Sequence, residues 1–313
     1  MAAIEILGLE KIYSVGFWRK TPKCALKPLD LRVEEGEIFG FLGPNGAGKT
    51  TTLKLLMGLV FPTSGTAKIL GREIDDPVVK AQIGFLPEQP YFYDYLTARE
   101  LLEYYAELSG VDAGVRSAKV RQVLDRVGLH DAANLQLRKF SKGMLQRAGI
   151  AQAIVHDPKL LFFDEPMSGL DPMGRREVRD LMEELKREGK TVFFSTHILS
   201  DAEALCDRVA IIHQGELKGV GAVAELTSSV AGQVEVAWRG GAVPASLKSL
   251  VIESHVAGEM VRALISEDKQ DAMLDGLRRE GLRIISLTPV RSSLEEYYLR
   301  RVQPSMASAG ARS

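Results

Sequence analysis

Residues 43–50 read Gly43-Pro44-Asn45-Gly46-Ala47-Gly48-Lys49-Thr50, directly after the apolar run Gly36-Glu37-Ile38-Phe39-Gly40-Phe41-Leu42. The octapeptide fits G-x-x-x-x-G-K-[ST], and its flanks are the ones that pattern needs, a strand before and a helix after. The helix is expected over 50–59, where Leu53, Leu56, Met57 and Val60 recur at three- and four-residue steps. Glycines let such a loop curl until several backbone N–H groups point inward, and the following helix adds the positive end of its dipole. All eight residues are therefore expected to cradle the phosphates of a nucleotide. Lys49 is placed to reach the β- and γ-phosphates as a point charge, and the Thr50 hydroxyl to bind Mg²⁺. Thr51 adds a hydroxyl near the α-phosphate.

Two further stretches complete a hydrolytic set. Leu160-Leu161-Phe162-Phe163-Asp164-Glu165 is four apolar residues closing on two carboxylates. A buried strand that ends in acid holds Mg²⁺ beside a phosphate cradle, so Asp164 is expected as the metal partner, through water. Glu165 is then placed to polarise the attacking water as general base, an effect of roughly 10²–10⁴ in rate. In Phe194-Ser195-Thr196-His197, the histidine follows an apolar run at 191–195. The carboxyl end of such a strand is where an open α/β sheet presents its ligands, and an imidazole there can hydrogen-bond a γ-phosphate and orient the water. Lys49, Glu165 and His197 form the expected catalytic group.

Around these motifs the chain alternates strands and helices, which predicts an α/β domain with a mainly parallel sheet. Strand-length apolar runs lie at 36–42, 159–163, 191–195 and 209–213. Residues 97–155 are more helical, with Leu101, Leu102, Tyr105 and Leu108, then Val120, Val123, Leu124 and Val127, at helical steps. This reads as a helical subdomain inserted in a nucleotide-binding domain spanning 1–224. A small α/β domain is expected at 225–302. Its elements are a strand at 233–238, a hairpin turning near Ala257-Gly258, and a helix over 268–280 stopped by Gly281. A strand at 283–287 follows, and then a last helix opened by the capping-box pattern Ser292-Ser293-Leu294-Glu295. Residues 303–313 are small and polar, an expected disordered tail.

Composition excludes several classes. Lys+Arg number 40 against Asp+Glu 41, a net charge of -1, and no long block of one sign occurs. The electrostatic footprint of a duplex-binding protein is missing. Cys24 and Cys206 are too far apart for a CxxC metal or redox site and too few for a disulfide framework, so both are expected as reduced thiols. The start of the chain has no secretion signal, and no stretch approaches the ~18 apolar residues of a membrane-spanning helix. Service to a membrane is therefore expected from the cytosol, through a partner.

Cradle, acidic strand end and histidine, in this order, resemble the ABC ATPase family of P-loop NTPases, and the discriminating residues lie between them. Phe140-Ser141-Lys142-Gly143-Met144-Leu145-Gln146-Arg147 is similar to the family signature usually written LSGGQ, with Lys142 and Met144 standing where Gly and Gln are usual. The resemblance implies two copies facing head to tail, with ATP between one cradle and the opposite signature. Ser141 and Gly143 would then contact the γ-phosphate of ATP held by the other protomer, and Ser141 is also a natural helix N-cap. Ser168-Gly169-Leu170-Asp171 resembles the loop that joins the two sites across the dimer, and Tyr13 matches the aromatic that stacks on adenine. Gly84-Phe85-Leu86-Pro87-Glu88-Gln89 departs from the family pattern, placing Glu88 where glutamine is usual and Gln89 one residue later. An acid there still coordinates Mg²⁺ or water, so the role stays open between the two. Tyr91, Phe92, Tyr93 and Tyr95 follow, where the family borders the cleft for a helix of the membrane subunit. Anchoring that helix and packing between the lobes are both open readings.

The resemblance covers about residues 4–225. The C-terminal module, closing in Ser293-Leu294-Glu295-Glu296-Tyr297-Tyr298, is similar to the accessory domain on ATPases of ABC-2-type exporters. What the family implies is an ATPase using ATP and Mg²⁺, a homodimer closed by ATP, and an integral membrane permease subunit on a separate chain. It also implies a peripheral place on the cytoplasmic face of the cell membrane and no nucleic acid. The alternative is a soluble ABC-type ATPase acting on ribosomes or nucleic acid. Relatives of that kind carry paired cassettes or long coiled coils, whereas this chain has one cassette and no sustained heptads.

Overall fold

The computed structural model describes residues 1–16, 20–227, 232–289 and 293–302. The expected tail at 303–313 lies outside the described residues, as does Ser292. Two compact units are formed, Met1–Val223 and Ala224–Arg300.

The first unit carries two sheets. Ala2–Val15 and Thr21–Glu34 pair antiparallel, and Ser64–Ile69 and Arg72–Glu73 extend them on the Ala2–Val15 side. The second sheet has six strands in the order Glu216–Ala222, Arg208–His213, Ile38–Leu42, Thr191–Thr196, Leu160–Asp164, Ile83–Leu86. All its neighbours run parallel except the edge strand Glu216–Ala222. The runs read as strands at 36–42, 159–163, 191–195 and 209–213 are its inner members. Strands buried on both faces read as continuous apolar runs rather than as alternation, which is why these were visible in the sequence.

The helix Lys49–Leu56 buries Leu53, Leu55 and Leu56 in the apolar cluster shared by Leu26, Leu31, Phe41, Phe162 and Phe193. Phe193 lies at its centre, with ring centroids 5.5 Å from Phe41 and 5.6 Å from both Phe39 and Phe162. Full burial of one such side chain is worth ~1.5–3 kcal/mol. The helix is shorter than the apolar spacing suggests. Gly58 adopts φ +64°, and the Leu59 N–H bonds the Lys54 carbonyl at 2.9 Å, so the chain turns out while Leu59 faces solvent.

Residues 98–108, 113–126 and 142–154 are helices, inserted between the strands Ile83–Leu86 and Leu160–Asp164. Thr97 opens the first with a reciprocal capping box, its N–H bonding Glu100 Oε2 at 2.8 Å while its hydroxyl accepts from the Glu100 N–H at 3.2 Å. Among the described residues no helix is long and apolar enough to cross a membrane.

The second unit is a four-stranded antiparallel sheet ordered Val251–Ala257, Met260–Ser266, Gln233–Arg239, Arg283–Pro289. The hairpin turns at Gly258, φ +60°. The helix Gln270–Arg279 buries Met273 and Leu277 with Trp238, Val236 and Val261 of the sheet, and Gly281 at φ +67° follows its end. Ser293 caps the helix Leu294–Val302, its hydroxyl accepting from the Glu296 N–H at 3.2 Å.

Candidate active site

Parallel register decides where the chemistry gathers. Leu42 pairs with Thr196, Asp164 with Ser195, and Leu86 with Phe163. The segments leaving these strands therefore emerge along one edge: the cradle after Leu42, Glu165 after Asp164, His197 after Thr196, and Glu88 after Leu86. This is the carboxyl edge at which open α/β sheets bind ligands.

The cradle is shaped by glycines that have no substitute. A β-carbon on Gly43 would stand 2.3 Å from the Ile212 carbonyl oxygen. Gly48 has φ +112°, and a β-carbon there would stand 2.7 Å from the Ala25 carbonyl. Gly48 is also the N-cap of Lys49–Leu56 and supplies no side-chain cap. The first-turn N–H groups, with no acidic residue beside them, are left to meet an anion. Lys49 is folded back over the loop, its Nζ donating to the Gly43 carbonyl at 2.7 Å and the Pro44 carbonyl at 3.3 Å.

The carboxylates are held by a residue that the motif reading passed over. The Ser195 hydroxyl donates to Asp164 Oδ1 and accepts from the Glu165 N–H, the latter at 3.1 Å. The Thr50 hydroxyl donates to Asp164 Oδ2 at 2.9 Å, joining cradle helix to acidic strand. Glu165 sits in the left-handed region at φ +51°. Such a conformation costs a non-glycine residue of order 1–3 kcal/mol and clusters at functional sites. Its N–H is fixed by the Ser195 carbonyl at 3.1 Å, and its own carbonyl accepts from the Ser168 N–H at 3.0 Å. The side chain is 7% exposed, with Oε2 2.9 Å from His197 Nδ1 and Oε1 3.1 Å from Lys49 Nζ. The Lys49 contact is ionic only, because Oε1 receives no directed hydrogen bond. The three residues read as catalytic thus meet at one carboxylate.

A hollow of about 530 Å³ opens over the cradle, lined by Pro44, Asn45, Gly46, Gly48, Lys49, Thr50, Thr51, Glu88, Glu165 and Tyr13. Its size lies within the ~300–1,000 Å³ of small-molecule sites. Gly43 and Ala47 shape the loop from behind, Ala47 being buried with its carbonyl accepting from the Gly215 N–H at 2.8 Å. Tyr13 enters from the antiparallel sheet, where it pairs with Lys23, and Lys11 Nζ lies 5.0 Å from its ring centre. Lys23, Cys24 and Ala25 complete that wall, and sequence reasoning missed them; the available signal for their strand was the short alternation of buried Leu29, Leu31 and Val33, broken before Leu26. Glu88 lines the hollow, while the exposed Gln89 is not among its walls.

Ser141, Gly143 and Asp171 lie elsewhere. They line a separate hollow of about 220 Å³ with Arg147, Leu170, Met173, Gly174 and Glu177, sharing no residue with the first. Ser141 caps the helix Lys142–Ile154 by accepting from the Met144 N–H at 3.2 Å, and Asp171 caps Pro172–Arg187 by accepting from the Gly174 N–H at 2.8 Å. Two ties, one buried and one half-buried, reach toward the hydrolytic edge. Gln146, also passed over in the sequence, donates to the Pro166 carbonyl at 2.8 Å, just past Glu165. Arg175 donates to the buried Asp201 at 2.8 Å, linking the helix after Asp171 to the helix Leu199–Leu205 after His197.

Comparison with known proteins identifies the family to which this fold belongs. The family model described as "ABC transporter" matches residues 26–168. An uncharacterised ABC transporter ATP-binding protein of Synechocystis is 43% identical over 310 residues, covering 96% of this chain and 84% of that protein. The bacitracin transport ATP-binding protein BcrA of Bacillus licheniformis is 46% identical over 192 residues, 60% of this chain and 62% of BcrA. Among solved structures, an ATP-binding cassette in a dimeric post-hydrolysis state with ADP and Pi matches with a TM-score of 0.64 and 27% identity, over 70% of this chain and 98% of that one. The chain belongs to the ATP-binding subunits of ABC transporters, ATPases that energise transport.

Proposed function

We propose that this subunit hydrolyses ATP at the Lys49 cradle while a second copy of the chain presents Ser141 and Gly143 to the same nucleotide. We further propose that closure of the pair drives an exporter through a membrane subunit on another chain. One observation carries the two-protomer reading: the signature residues line a hollow that shares no wall with the cradle. A γ-phosphate beside Lys49 then meets Ser141 most directly from a neighbouring molecule, as the dimeric state of the solved cassette also suggests. The exporter reading rests on the likeness to BcrA, whose name states bacitracin transport, and on the C-terminal module. It places the chain at the cytoplasmic face of the membrane, peripheral through its partner.

Among the described residues no cluster of three or more His, Cys, Asp or Glu is built to hold a metal alone. Mg²⁺ uses one or two carboxylates together with substrate phosphates, and the Thr50 hydroxyl and Asp164 Oδ2, 2.9 Å apart beside the cradle, are donors of the kind it takes. Thr50 and Asp164 would hold it, with Glu88 on the wall of the same hollow, and it would supply positive charge to offset that of the phosphates.

The remaining steps belong to the chain. Backbone N–H groups and Lys49 fix the β- and γ-phosphates in place, which supplies positioning rather than covalent help. Glu165 accepts the proton of the attacking water. His197, through Nδ1 at 2.9 Å, holds that carboxylate in one orientation and leaves Nε2 for the γ-phosphate. ATP closes the pair only in so far as it binds the closed state better than the open one.

The test is Mg²⁺-dependent ATP hydrolysis by the purified protein beside Glu165→Gln, with molecular mass followed by light scattering in ATP. The variant is expected to lose ~10²–10⁴ in rate and to accumulate as an ATP-bound dimer. Equal rates in both proteins, with both monomeric, would remove Glu165 from the mechanism and the second copy from the site.

A further inference from the structure

We propose that Lys142 is a positioning residue of the signature half-site, a strut that holds the loop at 168–171 against Ser141 and Gly143. Its functional consequence rests on the two-protomer reading above.

The contact is specific in geometry. A β-carbon built on Gly169 would stand 1.9 Å from Lys142 Nζ, 2.8 Å from Cε and 3.4 Å from Cδ. The far half of the lysine side chain therefore lies across the bare face of Gly169. Gly169 has φ +68°, a conformation that already calls for glycine, so one residue serves both the turn and the seat. Leu170, the next residue, faces the same helix start: its Cδ2 lies 3.8 Å from where a β-carbon on Gly143 would stand.

The loop is tied at its far end by Asp171, which accepts from the Gly174 N–H at 2.8 Å and the Arg175 N–H at 3.0 Å, and is held more lightly before it. Its backbone bonds run from Ser168 N–H to the Glu165 carbonyl at 3.0 Å and from Leu170 N–H to the Met167 carbonyl at a long 3.4 Å. It is nevertheless the stretch between Glu165 and the helix cap Asp171. Its position therefore sets how Asp171 and Leu170, on one wall of the second hollow, stand relative to Ser141 and Gly143 on the other. A lysine gives up about 2 kcal/mol of rotamer freedom when fully fixed. Lys142 is exposed, so the strut holds the loop only as far as its packing on Gly169 offsets that cost.

The experiment uses the full chain as wild type, Lys142→Ala and Lys142→Arg, and reads hydrogen–deuterium exchange of peptides covering 165–173 in the monomer. Lys142→Ala is expected to speed exchange there by about tenfold, equivalent to ~1.4 kcal/mol of opening free energy, and Lys142→Arg to restore it. In the Glu165→Gln background, Lys142→Ala is expected to weaken ATP-dependent dimerisation by about tenfold while ADP affinity of the monomer stays unchanged. Exchange that is identical in all three proteins overturns the strut. So does exchange that rises equally across the whole unit, which marks a general loss of stability. If Glu165→Gln itself stays monomeric in ATP, the two-protomer reading fails, and the exchange data still decide the strut by themselves.

Discussion

Ser195→Ala removes one hydroxyl from a fully buried position at the end of the strand Thr191–Thr196 and leaves the backbone free to stay where it is. Two hydrogen bonds go with it. The Glu165 N–H loses Ser195 Oγ but keeps the Ser195 carbonyl at 3.1 Å, so no buried donor is orphaned. Asp164 is 3% exposed and fares worse: Oδ2 keeps the Thr50 hydroxyl at 2.9 Å, whereas Oδ1 loses its donor. A hydrogen bond to a charged group is worth ~1.5–3 kcal/mol, and removing a single oxygen atom opens no void large enough to add much to that. For a unit of this size each kcal/mol moves the midpoint by ~2–4 °C, so Tm is expected to fall by about 3–12 °C. Thermal unfolding followed by circular dichroism at neutral pH, without nucleotide, measures this directly. Hydrolysis is expected to slow as well, because the same hydroxyl steadies the strand end carrying both carboxylates. A midpoint within about 1 °C of wild type would show that Asp164 does not depend on this donor, and the reasoning would be wrong at its root.

Gly84→Ala places a β-carbon 2.0 Å from the Ala153 carbonyl and 2.7 Å from Leu161 Cδ2, where the helix Lys142–Ile154 rests on the strand Ile83–Leu86. Overpacking of ~1–3 kcal/mol or more is expected, read as a lower urea midpoint with unchanged slope; an unmoved midpoint contradicts the close approach. His156 donates from Nε2 to the Ile83 carbonyl at 3.0 Å, and burial holds its imidazole below the usual range against the smaller raising effects of that carbonyl and of Asp157. As pH falls the unfolded chain takes up this proton first. Stability is then full above about 6.5, declines below it, and levels off beneath the depressed native value. His156→Gln is expected to flatten the decline between about pH 7.5 and 5.5, and the same decline in both proteins would assign it to other groups.

How much of this was legible depends on how local each cause is. The cradle is one octapeptide whose conformation its own glycines dictate, so Gly43 to Thr50 announced both the turn and the ligand. Asp164 and Glu165 were legible for a similar reason, because four apolar residues before them mark a buried strand. What escaped was set by pairing between distant segments. Ser195 is a short polar residue in an apolar run, and only its register opposite Asp164 turns it into the clamp of both carboxylates. The sheet of Ala2–Val15 and Thr21–Glu34 was missed because register shifts at several points interrupt the alternation that marks a half-buried strand. The left-handed Glu165 was invisible for a different reason, since nothing in a glutamate predicts φ +51°.

That conformation is where the fold and the chemistry meet. Had the chain left Asp164 as ordinary extended backbone, Glu165 would point to the opposite face of the sheet from its neighbour, by the period-two alternation of a strand. A turn through φ +51° breaks the alternation, and the buried side chain then reaches both Lys49, at 3.1 Å, and His197, at 2.9 Å. The strain is sustained by bonds on either side: the N–H held by Ser195 and the carbonyl held by the Ser168 N–H. Ser168 is also the first residue of the loop that leads through Gly169, beneath Lys142, to the cap at Asp171. Any displacement of that loop is therefore delivered to the backbone of the proposed general base, three residues away along the chain. The separate hollow at Ser141 and the cradle at Lys49 share no wall, but they share this short span of backbone. It is the most direct covalent route by which occupation of one hollow would change the geometry of the other.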